Sequence, residues 1–183
     1  MNVIKTEIDG PLILEPRIFG DDRGFFMETF RASFFESLGP GYRFVQDNHS
    51  KSGRGVLRGL HYQIQQPQGK LVRVVQGEVY DVAVDLRRQS PTLGRSVGVR
   101  LSAESKTQFW VPPGFAHGFL VLSETAEFVY KCTDYYAPEH ERTLLWNDPE
   151  LGIEWPDCAE PLLSDKDKRG LRLNEAELYD GLL

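Results

Sequence analysis

The chain is short of cysteine, of basic charge and of long apolar runs, and each shortage removes a class of protein. Two cysteines, Cys132 and Cys158, are too few for a disulfide scaffold and fit a reduced, cytoplasmic protein. Lys plus Arg number 21 against 27 Asp plus Glu, a formal charge of −6. That balance argues against a general nucleic-acid coat, which needs a basic face, but leaves room for a small cationic pocket. No apolar stretch nears the roughly 18 residues of a membrane span. The opening Met1-Asn2-Val3-Ile4-Lys5 lacks the apolar run of a signal peptide. Nucleophile elbow, Walker A loop and dinucleotide glycine fingerprint are missing, and Ser52-Gly53-Arg54-Gly55 lacks the ending of a phosphate loop and reads as a turn. What is present is 183 residues, 40% apolar and 26% charged, enough for one domain with a true core. That core is expected over about residues 45–137, with N- and C-terminal extensions packed on it.

Eleven prolines and seventeen glycines, spread throughout, disfavour a bundle of long helices. The segment 71–75 is rich in β-branched residues, and in 78–86 Tyr80, Val82, Val84 and Leu86 alternate with Val79, Asp81, Ala83 and Asp85. Period two reads as strand, and the pair reads as a hairpin around Gly77. Further strands are expected over 97–101, 108–111, 118–122 and 127–133. Helix signals are confined to the flanks: 30–38 with a Gly39 stop, a turn capped by Ser164, and a last short helix over 173–179. Many short strands at regular spacing predict an all-β, antiparallel jelly roll of the cupin kind with short flanking helices, and the mouth of such a barrel holds small ligands.

Among the four histidines, His61 stands out. It lies in Arg58-Gly59-Leu60-His61-Tyr62, with Lys70 nine positions on. Cations crowded on an inward face are costly without an anionic or electron-rich ligand, and an imidazole is suited to taking protons near neutral pH. A metal-binding cupin usually offers two histidines one residue apart. Here the residue two after His61 is Gln63, and only His117 could supply a later imidazole. Lys and Arg beside such a site would repel a dication, so neither metal nor cofactor is expected. The cysteine pair lacks redox or metal spacing. Each remaining segment has an ordinary reading too: Arg23 in a solvated turn, 46–50 as a polar turn, Asp167 as a helix-terminus carboxylate, Tyr136 as a core tyrosine at a strand end.

Taken together, the segments resemble one family, the dTDP-4-dehydrorhamnose 3,5-epimerases (the RmlC family). The resemblance is carried by seven motifs in register: Asp21-Asp22-Arg23-Gly24-Phe25-Phe26-Met27-Glu28, Gln46-Asp47-Asn48-His49-Ser50, and Val56 through Gln63. Then come Gln68 through Val74, Pro113 through Phe119, Tyr130 through Tyr136, and Leu163 through Asp167. It spans roughly residues 3–175. It implies a homodimeric, metal-free jelly roll acting on dTDP-4-dehydro-6-deoxy-glucose and making dTDP-4-dehydro-rhamnose. By resemblance, His61 is the general base, Tyr130 the opposing acid, Asp167 the partner of His61, and Lys70 the group at the ketone oxygen. Arg23, Arg58 and Lys166 look like ligands of the phosphates or neighbouring groups. Glu28, Gln46, Asp47 and Asn48 resemble a thymidine-binding set. Tyr136 would stack on the thymine, and Glu141 and His117 match binding positions.

One departure is Arg95-Ser96-Val97-Gly98, where many relatives carry a tryptophan; an effect on packing is expected there. The motifs leave three rivals open. A mono-epimerase of a deoxysugar pathway would invert only C3 or C5, a non-catalytic cupin would only bind the sugar nucleotide, and a metal-dependent cupin would require bound metal.

Overall fold

The computed structural model describes residues 1–156 and 160–181, so Cys158 lies outside the described residues and Cys132 is a buried thiol. β1 (Asn2–Lys5) and β2 (Leu12–Glu15) pair first, β3 (Ile18–Asp21) and β4 (Gly24–Met27) form a separate two-stranded ribbon, and α1 (Ala32–Glu36) follows. The body comprises β5 (Gln46–Gly53), β6 (Leu57–Gln63), β7 (Lys70–Gln76), β8 (Glu78–Asp85), β9 (Ser96–Ser102), β10 (Gln108–Val111), β11 (Phe115–Val121), β12 (Thr125–Cys132) and β13 (Glu141–Thr143). One sheet runs β1-β2-β10-β7-β12-β5 and the other β13-β6-β11-β8-β9. Neighbouring strands are antiparallel throughout, as the jelly roll requires.

Alternation sorts side chains into layers. Val72 and Val74 of β7, Val79 and Ala83 of β8, Phe119 of β11 and Phe128 of β12 meet between the sheets. The other face of β8 is apolar as well, because Val82, Val84 and Leu86 pack under Leu151, Tyr179 and Leu173 of the C-terminal segment. On the outside of the first sheet, Trp110 and Leu71 are covered by Phe35 of α1 together with Phe30 and Phe44. Both outer faces of the sandwich are thus roofed by terminal segments.

Two expectations are corrected. The runs on either side of Gly77 are strands, but they do not form a hairpin: β7 pairs with β10 and β12, whereas β8 pairs with β11 and β9. Gly77 carries the chain from one sheet to the other at φ +76°, where an added Cβ would sit 2.1 Å from the Thr125 carbonyl oxygen, so a side chain does not fit. Period two specifies a strand and its faces, not its neighbour. The last helix, expected over 173–179, shrinks to one 3-10 turn at Leu173–Glu175. Tyr179 instead bonds strand-fashion, its N–H to Leu86 O and its carbonyl accepting from Arg88 N–H. The Arg95–Gly98 segment opens β9, with Gly98 facing the Tyr80 ring on the outer side of the sheet.

Candidate active site

Between the sheets opens a cavity of about 880 Å³. Its walls come from alternate rows of facing strands. β5 supplies Gln46, Asn48 and Ser50, β12 supplies Phe128 and Tyr130, and β7 supplies Lys70, all from the first sheet. Facing them, β6 supplies Arg58 and His61 and β11 supplies His117 and Phe119. Arg58 and His61 are three apart, a spacing that would put them on opposite faces of a regular strand. The β6–β11 register shifts by one between the His117–His61 and Phe119–Arg58 pairs, which returns both to the same side. Gly59 makes the shift possible: a Cβ there would lie 2.6 Å from Gly118 Cα.

His61 Nε2 lies 2.5 Å from Asp167 Oδ1. Asp167 is buried at the start of the 3-10 turn Asp167–Arg169. Ser164, at the head of the turn that leads into it, bonds Asp167 reciprocally, its hydroxyl donating to Asp167 Oδ2 at 2.8 Å and accepting from Asp167 N–H at 3.2 Å. The expected turn cap and the base's carboxylate partner are therefore one construction. Burial alone would raise the Asp167 pKa, but bonds from His61 and Ser164 and the Lys166 charge outweigh it and hold the carboxyl below its usual range. With Nε2–H committed to the carboxylate, Nδ1 keeps the lone pair, and among the described residues nothing bonds to it.

Across the cavity, burial is the main cause that raises the Tyr130 pKa, with Cys132 and Glu141 adding to it. The phenol therefore stays protonated at neutral pH. Lys70 is buried, and burial lowers its pKa against the charges of Cys132, Glu141 and Asp81. No hydrogen bond or ion pair to its ammonium is found among the described residues. A second histidine–carboxylate pair lies deeper: His117 Nε2 bonds Asp81 Oδ1 at 2.8 Å, with Asp81 wholly buried and its Oδ2 unpartnered. At the mouth, Glu141 accepts from Lys166 Nζ at 2.9 Å and from the Tyr136 hydroxyl at 3.0 Å. Arg58 Nε donates to Ser52 Oγ at 3.0 Å.

Eleven of the fourteen residues singled out from sequence line this cavity: Gln46, Asn48, Arg58, His61, Lys70, His117, Tyr130, Tyr136, Glu141, Lys166 and Asp167. Three do not. Asp47 lies between two inward residues of β5, so alternation sends it to the outer face, where Lys131 Nζ reaches it at 2.9 Å. Arg23 is exposed at the turn of the β3–β4 ribbon and paired with Asp21, and Glu28, just past the ribbon, pairs with Arg31 at 2.9 Å. His49 also faces outward, 3.1 Å from Glu127. Ser50 and Ser164 were not anticipated as site residues. Ser50 Oγ is buried and unpartnered, and its place on the inward row of β5, two after Asn48, was the available signal. No group of three or more His, Cys, Asp or Glu able to hold a metal ion occurs among the described residues. No helix there is long and apolar enough to cross a membrane.

Comparison with known proteins places the chain in a family. The chain is 61% identical over 180 residues to the dTDP-4-dehydrorhamnose 3,5-epimerase of Pseudomonas aeruginosa, covering 98% of this chain and 99% of that one. It is 42% identical to a dTDP-4-dehydro-6-deoxyglucose 3-epimerase of Streptomyces bikiniensis over 93% of this chain and 88% of that one. Its fold matches, at TM-score 0.95 and 55% identity, the crystal structure of the dTDP-6-deoxy-D-glucose-3,5-epimerase of Legionella pneumophila in complex with dTDP-4-keto-L-rhamnose, covering 100% of this chain and 99% of that one. The family model described as dTDP-4-dehydrorhamnose 3,5-epimerase matches residues 5–175, and the chain belongs to that family.

Proposed function

We propose that the chain inverts C3 and C5 of dTDP-4-dehydro-6-deoxy-D-glucose to give dTDP-4-dehydro-L-rhamnose, the reaction named for its family. The observation that carries the mechanism is that His61 and Tyr130 stand on facing sheets and line one cavity with Lys70. The C4 ketone makes the hydrogens on C3 and C5 weakly acidic. Inversion removes a hydrogen from one face of the ring and returns one to the other, which calls for two groups on opposite sides. His61 takes the proton through the lone pair that the Asp167 bond leaves available, and Asp167 steadies the imidazolium that forms. The enolate places negative charge on O4, beside the Lys70 ammonium. Tyr130 returns a proton from the far wall. Once His61 has released its proton to solvent and Tyr130 has regained one, the cycle repeats at the second carbon and completes the product, with no net change in oxidation state.

Arg58 and Lys166 face the diphosphate, Tyr136 stacks on the thymine, and Gln46, Asn48, Glu141 and His117 complete the pocket around nucleotide and sugar. The active unit is a homodimer. Its support is the β3–β4 ribbon, where Ile18, Phe19, Phe25 and Phe26 are exposed by 45 to 70%. Such a patch on a two-stranded ribbon marks an interaction surface. Arg23 and Glu28 ride on that ribbon and serve the cavity of the second copy. A nucleotide-linked sugar substrate is a cytoplasmic metabolite, and the enzyme acts there.

The test is incubation with the keto sugar nucleotide in heavy water. Deuterium at both C3 and C5 with the L-lyxo product is expected. Uptake at one carbon would assign the chain to the mono-epimerases, and no uptake would leave only a binding protein.

A further inference from the structure

The segment Asp134–Ala137, which carries Tyr136, has no regular secondary structure, yet its backbone is closely held. Its partners are side-chain amides of three glutamines from separate parts of the chain. Gln68 Nε2 donates to Asp134 O at 2.9 Å, and Gln63 Nε2 donates to Tyr135 O at 3.2 Å. Gln46 Oε1 accepts from Tyr136 N–H at 3.0 Å, and Gln63 Oε1 accepts from Ala137 N–H at 3.0 Å. One polar group on each of four consecutive residues is thereby satisfied outside any ladder. Gln63 is only 3% exposed, and its Nε2 also reaches Gln66 O at 2.8 Å. Its own carbonyl accepts from the Tyr179 hydroxyl at 2.6 Å, which ties the clamp to the C-terminal segment. The rings held by this clamp are not buried: Tyr135 is 62% and Tyr136 53% exposed. A rigid backbone presenting open aromatic faces at a cavity mouth is what a planar ligand needs.

We propose that Gln46, Gln63 and Gln68, which also line the cavity, form a positioning clamp that preorganises Tyr136 for the nucleotide base, so that base affinity depends on the amides that hold the loop as well as on the ring itself. This rests on the reading of Tyr136 as the stacking plate. It assigns a role to Gln63 and Gln68 and adds to Gln46 of the pocket a hold on the backbone of the loop. Because the clamp acts at the nucleotide end, it governs binding and leaves the proton transfers at the sugar alone.

The test is calorimetric titration of the intact protein with dTDP, beside steady-state kinetics. Gln68→Ala removes one hydrogen bond and is expected to weaken dTDP by about 2- to 10-fold. Gln63→Leu removes several and is expected to weaken it by about 10- to 100-fold. In both, KM rises and kcat at saturation stays within about threefold. Gln68 is half-buried, so its variant serves if Gln63→Leu does not fold. Tyr136→Ala is measured alongside. If it leaves dTDP affinity unchanged, the stacking reading of Tyr136 fails. If it weakens dTDP but Gln68→Ala does not, the clamp fails and the stacking reading stands. In the double variant, Gln68→Ala should add nothing to Tyr136→Ala, since it acts through that ring. Equal losses in both backgrounds, or a kcat that falls with KM unchanged, would overturn the proposal.

Discussion

The imidazole of His61 has one nitrogen committed to Asp167 and one available for work, and that asymmetry sets the expected behaviour of its variants. His61→Ala should abolish hydrogen exchange at both C3 and C5, a loss of at least about 10²- to 10⁴-fold, read by NMR in heavy water. Exchange at a normal rate would mean that another base acts. Tyr130→Phe should impair inversion while sparing part of the proton removal, so wash-in of deuterium would outlast product formation. For Lys70→Met a fall in kcat of about 10²- to 10³-fold is expected. Burial lowers the Lys70 pKa, so the ammonium is lost at a lower pH than in a solvated lysine, and activity that depends on it declines early on the alkaline side. Asp167 works in the other direction. Its folded pKa lies below the unfolded value of about 3.9. The stability it contributes is therefore present above that value and lost as pH falls through the folded pKa. Urea unfolding should show Asp167→Asn less stable than the parent at pH 7, with the gap closing as the solution is acidified below about pH 4.

At the scale of strands, the inward rows explain what could be read in advance and what could not. That His61, Lys70, Tyr130 and Asp167 share one cavity was legible because their motifs stand in the family's order and each falls on an inward row or at the turn after Ser164. Asp47 falls outside this cavity because a motif is contiguous while a strand alternates: Gln46 and Asn48 face the cavity, and the side chain between them points the other way. The same limit hid the crossing at Gly77, since alternation is identical whether two strands are neighbours or lie in opposite sheets. The Asp85 knot was likewise invisible to periodicity. Its buried carboxylate accepts from Arg87 Nη2 at 2.8 Å, from Ser90 Oγ at 2.5 Å and from Thr92 Oγ1 at 2.7 Å, fixing the β8–β9 connection. Asp85→Ala should cost about 3–5 kcal/mol, because it leaves the Arg87 guanidinium without its partner. Denaturant titration measures that loss, and a change under 1 kcal/mol would show the knot to be dispensable.

For the whole molecule, the two functional halves of the proposed site belong to different surfaces of one chain. The cavity is internal, whereas Arg23 and Glu28 sit on an exposed ribbon. If the ribbon serves a second copy, His61→Ala and Arg23→Ala chains, each defective alone, should complement when refolded together. A mixed dimer concentrates both lesions in one site and leaves the other intact, so about a quarter of the parental activity should return. No recovery would place Arg23 outside the partner's cavity. The crossing at Gly77 has a last consequence, for assembly. Because β7 and β8 join opposite sheets, β5 must find β12 and β6 must find β11 across long stretches of chain. Distant pairings of this kind are entropically expensive and slow to form. No intermediate with a single sheet contains both walls of the cavity, so during renaturation turnover should return with the final stacking step and not in proportion to early strand formation.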